Sequence, residues 1–102
     1  MPIIASVIVP ATTKAQYDAV RAECNWLGDI PVGGMAHLTW WEGDDCHNMD
    51  AWESAEALDA FVTNRLGPAM AKAGVTSEPI VAVHDAHEVF LPKAQTVTAT
   101  AV

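Results

Sequence analysis

"HLTWWEGDDCHNMDAW", residues His37 to Trp52, holds three of the chain's four tryptophans, two of its four histidines, one of its two cysteines and a run of acids. Glu42-Gly43-Asp44-Asp45 sits at its centre, and a two-residue turn with glycine first suits a primed β-hairpin turn. Taken as a hairpin, the stretch pairs Glu42 with Asp45, Trp41 with Cys46, Thr39 with Asn48, His37 with Asp50 and Met35 with Trp52 on one face. The other face receives Trp40 with His47, Leu38 with Met49, and Ala36 with Ala51. A slip of one residue would exchange the two sets.

The rest of the chain is read outward from this hairpin. Upstream, Ile3 to Val9 is a continuous β-branched run of the kind that forms a central strand buried on both faces, and Pro10 ends it. Thr13 and Gln16 fit a capping box that opens a helix. Tyr17, Val20, Cys24 and Leu27 follow at helical spacing as a narrow apolar stripe. Downstream, Ser54 is a good N-cap for a second helix, and Glu56 suits its positive first turn. Leu58, Phe61, Val62, Leu66 and Met70 form that helix's buried face. Gly67-Pro68 is expected to kink or split it, because proline removes a donor and clashes with the preceding turn. A last strand is expected over Ile80 to Val89.

The order β-α-β-β-α-β predicts an α+β fold, a ferredoxin-like sandwich with two helices on one face of a four-stranded antiparallel sheet. The first and third strands are expected in the centre. Residues 1–91 form one domain in this reading. Residues 92–102, rich in Ala, Thr and Val, form a tail that is flexible or added to a partner.

Charge narrows the function classes. Thirteen acids against five bases give a net charge of −8. Nucleic-acid binding needs clustered Lys and Arg to replace counterions, so nucleic-acid partners are not expected. The same charge disfavours docking on anionic lipid, and no membrane partner is expected. The apolar start "IIASVIVP" has no basic residue before it, is too short to span a bilayer and reads as a strand rather than a signal peptide. Cys24 and Cys46 form no CxxC pair, so a reducing, cytoplasmic setting is the expectation. No P-loop, GxGxxG or GxSxG is present.

Ala36, Leu38, Met49 and Ala51 form the plainer apolar set, which places them under the helices. The open face then carries His37, Thr39, Trp41, Asn48, Asp50 and Trp52. On the last strand, Val81 and Val83 go under the helices, leaving His84 on the open face with His37 and Asp50. Such a face is too apolar to stand in water, and two sheets packed face to face would cover it. Their interior would make a pocket for a small hydrophobic or aromatic substrate. His37 with Asp50 is the candidate base and its orienting carboxylate. Its structural alternative is a cross-strand polar pair of about 0.2–1 kcal/mol. His84 is the candidate acid or anchor. Tyr17, Thr39, Trp41, Asn48 and Trp52 are the candidate substrate contacts, with Tyr17 and Trp52 also readable as packing. No metal site is expected: a strand sends Cys46 and His47 to opposite faces, and likewise His84 and His87.

"QYDAVRA", "DAWESAEALDAF", "RLGPAM" and "VAVHDAHEVF" together resemble the dimeric α+β barrel superfamily, and especially its antibiotic-biosynthesis-monooxygenase type. His37 in "MAHLT" and His84 in "AVHD" sit where similar proteins often carry histidine. The resemblance covers residues 3–91 and implies a homodimer joined through its sheets. It also implies a cofactor-independent enzyme, monooxygenase or cyclase, acting by acid–base chemistry on a phenolic or polyketide-like substrate. The superfamily also hosts lactone isomerases and haem enzymes, so the fold is more sharply implied than the activity. A non-catalytic module that binds a hydrophobic small molecule or stabilises an assembly is the alternative reading; a haem or metal protein is the third.

Overall fold

Seven residues dominated by Ile, Val and small side chains, Ile3–Val9, form strand β1, and Pro10 ends it. Helix α1 spans Lys14–Cys24 and opens on the expected capping box. The Gln16 amide N–H donates to Thr13 Oγ1 at 3.1 Å, and the Thr13 N–H donates to Gln16 Oε1 at 2.9 Å. Asn25 then turns left-handed, with φ +52°, and ends the helix. That break interrupts the predicted stripe. Val20 and Cys24 are buried, but Leu27 stands exposed and Trp26 takes the inward position.

Strands β2 (Gly34–Glu42) and β3 (Asp45–Trp52) form the hairpin. Gly43 alone of the two turn residues has positive φ, +59°, as a type II′ turn requires. The predicted ladder holds from Glu42–Asp45 to Ala36–Ala51. It fails only at the end, where Gly34 rather than Met35 faces Trp52 and Met35 is the extra residue of a β-bulge. Glu42 also belongs to the Trp40 face rather than the Trp41 face, and its carboxylate lies 3.0 Å from His47 Nε2.

Helix α2 (Ala55–Phe61) is capped by Ser54, whose Oγ accepts from the Ala57 N–H at 3.1 Å. It runs on through a π-helical turn, Val62–Leu66, into α3 (Gly67–Lys72). Pro68 has no N–H to offer the carbonyl four residues back, and the widened turn lets the Gly67 N–H bond Val62 O instead. The helix is rewound here rather than broken. Strand β4 covers Ile80–Asp85 and stops short of the predicted Val89, with Asp85 opposite Ile3, the first residue of β1. The Ala86 N–H bonds Pro2 O instead.

The sheet order is β2-β3-β1-β4, all antiparallel, with β1 and β3 central as the ferredoxin-like topology requires. The computed structural model describes residues 1–99, so the last three residues of the predicted tail lie outside the described residues. No helix among the described residues is long and apolar enough to cross a membrane.

The core decides which face the helices cover. Ile3, Ala5, Trp52 and Leu58 form one buried cluster, and Val20, Cys24 and Ala69 form another. Phe61 packs against both. Trp52, Trp41 and Cys46 are therefore on the helix side, and His37, Thr39, Asn48 and Asp50 go with them by alternation. The predicted face assignment of the hairpin is inverted. The residues expected under the helices include exposed ones, and their face is the outer one: Leu38 is 59% accessible, Trp40 beside it 42% and Met49 37%. Ile4, Ala36, Leu38, Met49 and Ala51 line a shallow cleft on this outer face with Glu88 and Val89.

A candidate acid–base site beneath helix α1

His37 reaches the helix side from edge strand β2, directly opposite Asp50 on β3. Its Nδ1 lies 2.6 Å from Asp50 Oδ1, and its Nε2 lies 2.7 Å from the Tyr17 hydroxyl on α1. The carboxylate has no proton to give, so it accepts from Nδ1–H. In the neutral imidazole that leaves the Nε2 lone pair to accept from the Tyr17 O–H. Trp52 closes the chain by donating its indole N–H to Asp50 Oδ2 at 3.3 Å. Four side chains from one helix and two strands thus form one directed run, Tyr17 to His37 to Asp50, braced by Trp52.

Aromatic rings enclose the run. Tyr17 stacks parallel to His37 with centroids 6.0 Å apart and meets the edges or faces of Trp26 at 5.9 Å and Trp41 at 5.6 Å. Trp26 also stands over His37 at 5.4 Å. The Trp41 indole is held in place by donating to Thr12 O at 2.7 Å. Arg65 fixes the loop that carries Trp26, donating to Cys24 O and Asp29 O, both at 2.7 Å. About a third of the His37 side chain is still accessible, 35%, against 16% for Asp50. The imidazole is therefore oriented by the interior yet reaches the surface.

The predicted site residues divide cleanly. His37, Asp50, Tyr17, Trp41 and Trp52 are brought together. Thr39 and Asn48 share their face but are turned to structural bonds: Thr39 Oγ1 lies 3.6 Å from Cys46 Sγ, and Asn48 Nδ2 donates to Val7 O at 3.1 Å. His84 does not join them. It pairs with Ile4, whose side of the sheet is the outer one, so the sheet itself separates it from His37. Trp26 was missed, because the sequence pattern continued the helix past the residue where Asn25 breaks it. Cys46 and His47 point to opposite faces, and among the described residues no three His, Cys, Asp or Glu side chains converge as metal ligands.

Burial pushes the Tyr17 phenol up to about 12, with Cys46, Asp50 and Asp18 adding in the same direction and Arg21 opposing. The phenol is thus neutral through the physiological range and serves as a donor. Tyr17 is the chain's only tyrosine, so tyrosinate absorbance titrates this one group. The folded protein should titrate near pH 12, and the urea-unfolded chain near 10. The unfolded chain therefore loses its proton first. This contribution to stability is complete below pH 10 and is lost as the pH rises towards 12. A folded-state midpoint at 10 would show that the hydroxyl is not held as described.

No family model matches the sequence, and no curated protein does. Solved structures do match. A protein of unknown function from Nitrosomonas europaea superposes with a TM-score of 0.67 at 18% identity, over 90% of this chain and 95% of that one. SnoaB, a cofactor-independent oxygenase from Streptomyces nogalater, gives 0.61 at 16% identity over 90% and 97%. The ActVA-Orf6 monooxygenase of Streptomyces coelicolor, solved in complex with Nanaomycin D, gives 0.58 at 20% identity over 89% and 92%. The chain has the ferredoxin-like α+β fold of the antibiotic-biosynthesis-monooxygenase-like proteins.

Proposed function

We propose that this protein is a cofactor-independent small-molecule enzyme of the monooxygenase or cyclase type, with His37 as its general base. The observation that carries the reading is the directed hydrogen-bond run. Asp50 fixes the Nδ1–H tautomer and faces the charge that forms when Nε2 takes a proton, as an orienting carboxylate must. Trp26, Trp41 and Tyr17 offer flat apolar surfaces beside the exposed part of the imidazole, which suits a phenolic or polyketide-like substrate. Likeness in fold to SnoaB and the ActVA-Orf6 protein supports the reaction class. Removing an acidic C–H proton gives a carbanion that O₂ can oxidise. A CH₂ group and O₂ then become a C=O group and water, and the balance needs no other reductant.

The test is oxygen uptake with an anthrone-type phenol and metal-stripped protein, with product mass showing one oxygen gained and two hydrogens lost. His37→Ala should lower the rate about 10²- to 10⁴-fold. A wild-type rate no faster than buffer across a panel of phenols and 1,3-diketones would sink the proposal.

The outer sheet face belongs to the same reading. Leu38, Trp40, Met49 and Ile80 expose large apolar surfaces on one side of the sheet, which suits a homodimer joined sheet to sheet. Leu38→Asp would place a charge within that contact and should convert a dimer to a monomer in light scattering. A wild-type protein that is monomeric at micromolar concentration would refute this arrangement. With the face assignment reversed, the base lies inside each protomer, under α1, rather than between the two sheets.

A further inference from the structure

We propose that Tyr17 is a catalytic proton relay: a substrate proton reaches His37 through the Tyr17 hydroxyl, not by direct contact with the imidazole. The inference rests on the reading of His37 as the base. Both ring nitrogens of His37 are already engaged, Nδ1 by Asp50 at 2.6 Å and Nε2 by Tyr17 at 2.7 Å. The lone pair a base would use is therefore covered by a phenol. The Tyr17 ring is held between Trp26 and Trp41, and among the described residues the hydroxyl's hydrogen-bond partner is His37. A substrate that displaced it would leave a part-buried O–H without a partner, which is unfavourable. A substrate that hydrogen-bonds to the free lone pairs of the Tyr17 oxygen keeps the run intact.

The substrate's O–H or C–H bond breaks and its proton bonds to Tyr17 Oη. At the same time the phenol's original proton passes to His37 Nε2. Tyr17 ends neutral, as it began, His37 becomes imidazolium facing the Asp50 carboxylate, and the substrate is left as its anion. The reverse transfer protonates a product. The buried phenol, with its pKa raised to about 12, holds a proton throughout the working pH range and can hand it on without resting as an anion.

The experiment follows hydrogen–deuterium exchange at the acidic carbon of an anthrone probe by NMR, for the wild type, Tyr17→Phe, His37→Ala and the double variant. Anaerobic conditions isolate proton transfer from oxidation. ¹⁵N spectra record the His37 tautomer in each protein that retains the residue. The relay predicts that Tyr17→Phe slows exchange about 100-fold. It predicts a rate close to that of His37→Ala, a double variant no slower, and the Nδ1–H tautomer unchanged. In mixtures of H₂O and D₂O the wild-type rate should show two protons in flight.

Tyr17→Phe exchanging at the wild-type rate or faster, with His37→Ala inactive, would overturn the relay and leave His37 as a base that Tyr17 merely covers. Slow exchange accompanied by loss of the tautomer would also overturn it, making Tyr17 a positioning residue. If His37→Ala exchanges as fast as the wild type, the underlying base assignment fails.

Discussion

Asp50→Asn is expected to lower turnover about 10²- to 10⁴-fold while leaving the fold close to its original stability. The carboxylate uses both oxygens as acceptors, Oδ1 for His37 Nδ1–H and Oδ2 for the Trp52 indole N–H. An amide has one acceptor and one donor group. With its oxygen towards His37, its NH₂ confronts the indole N–H, donor against donor. With its oxygen towards Trp52, its NH₂ confronts Nδ1 and drives the imidazole proton to Nε2, which abolishes the lone pair that faces Tyr17. The shape of the side chain is almost unchanged, so packing against the neighbouring strands should survive. Turnover measured beside a urea melt separates the two effects. If the Asp50→Asn variant works at the wild-type rate while ¹⁵N spectra show the imidazole proton moved to Nε2, the acid–base reading is removed, because the tautomer would then not matter.

Trp52→Ala is expected to cost about 3–5 kcal/mol of stability, read as a fall in the urea midpoint. Trp52 is 4% exposed, packs with Ile3, Ala5 and Leu58, and meets the Phe61 ring at 5.2 Å. Ala5, on the central strand in this cluster, is 0% exposed and too small a side chain to fill the cavity. Trp52→Phe keeps most of the packed surface and loses the N–H that braces Asp50. It should cost only about 1–2 kcal/mol, yet lower turnover at temperatures where the protein is fully folded. Normal turnover in the Trp52→Phe variant would make Trp52 an anchor of the core and no part of the orienting run.

The fold was legible because local signals agreed. The capping box, the Gly43 turn, Ser54 and the alternation along the hairpin each pointed to the same order of elements, and the pairing of His37 with Asp50 followed from the turn alone. The face was not legible by apolarity. His37, Asp50, Tyr17 and Trp52 satisfy one another's hydrogen bonds, so their burial carries little penalty and a polar set can lie under helices. Leu38 and Met49 looked like core residues because they are apolar, yet they lie on the face turned away from the helices. Val81 and Val83 do share the helix side of the sheet, but at 55% and 48% accessible they are not covered by the helices. Ala5 pairs with both Val83 and Asp50, so β1 ties the valines and Asp50 to one face. That link depends on the register of β1 against β3, and a strand as nearly continuously apolar as IIASVIV, with Ser6 its single polar residue, does not display its register. His84 fell away for the same reason. Trp26 was hidden by Asn25, whose left-handed turn is a conformational choice that the helical spacing does not reveal.

Met35 is the spare residue of β2. The ladder needs only Gly34 and Ala36 opposite Trp52 and Ala51, and the bulge carries the surplus. Ahead of it runs the irregular segment with Trp26, tied down by Arg65 and by the bond from the Glu53 N–H to Gly33 O. A residue gained or lost in that segment can be absorbed where the chain already carries slack, while His37 stays opposite Asp50. The aromatic wall beside His37 can therefore change length without pulling His37 out of register with Asp50.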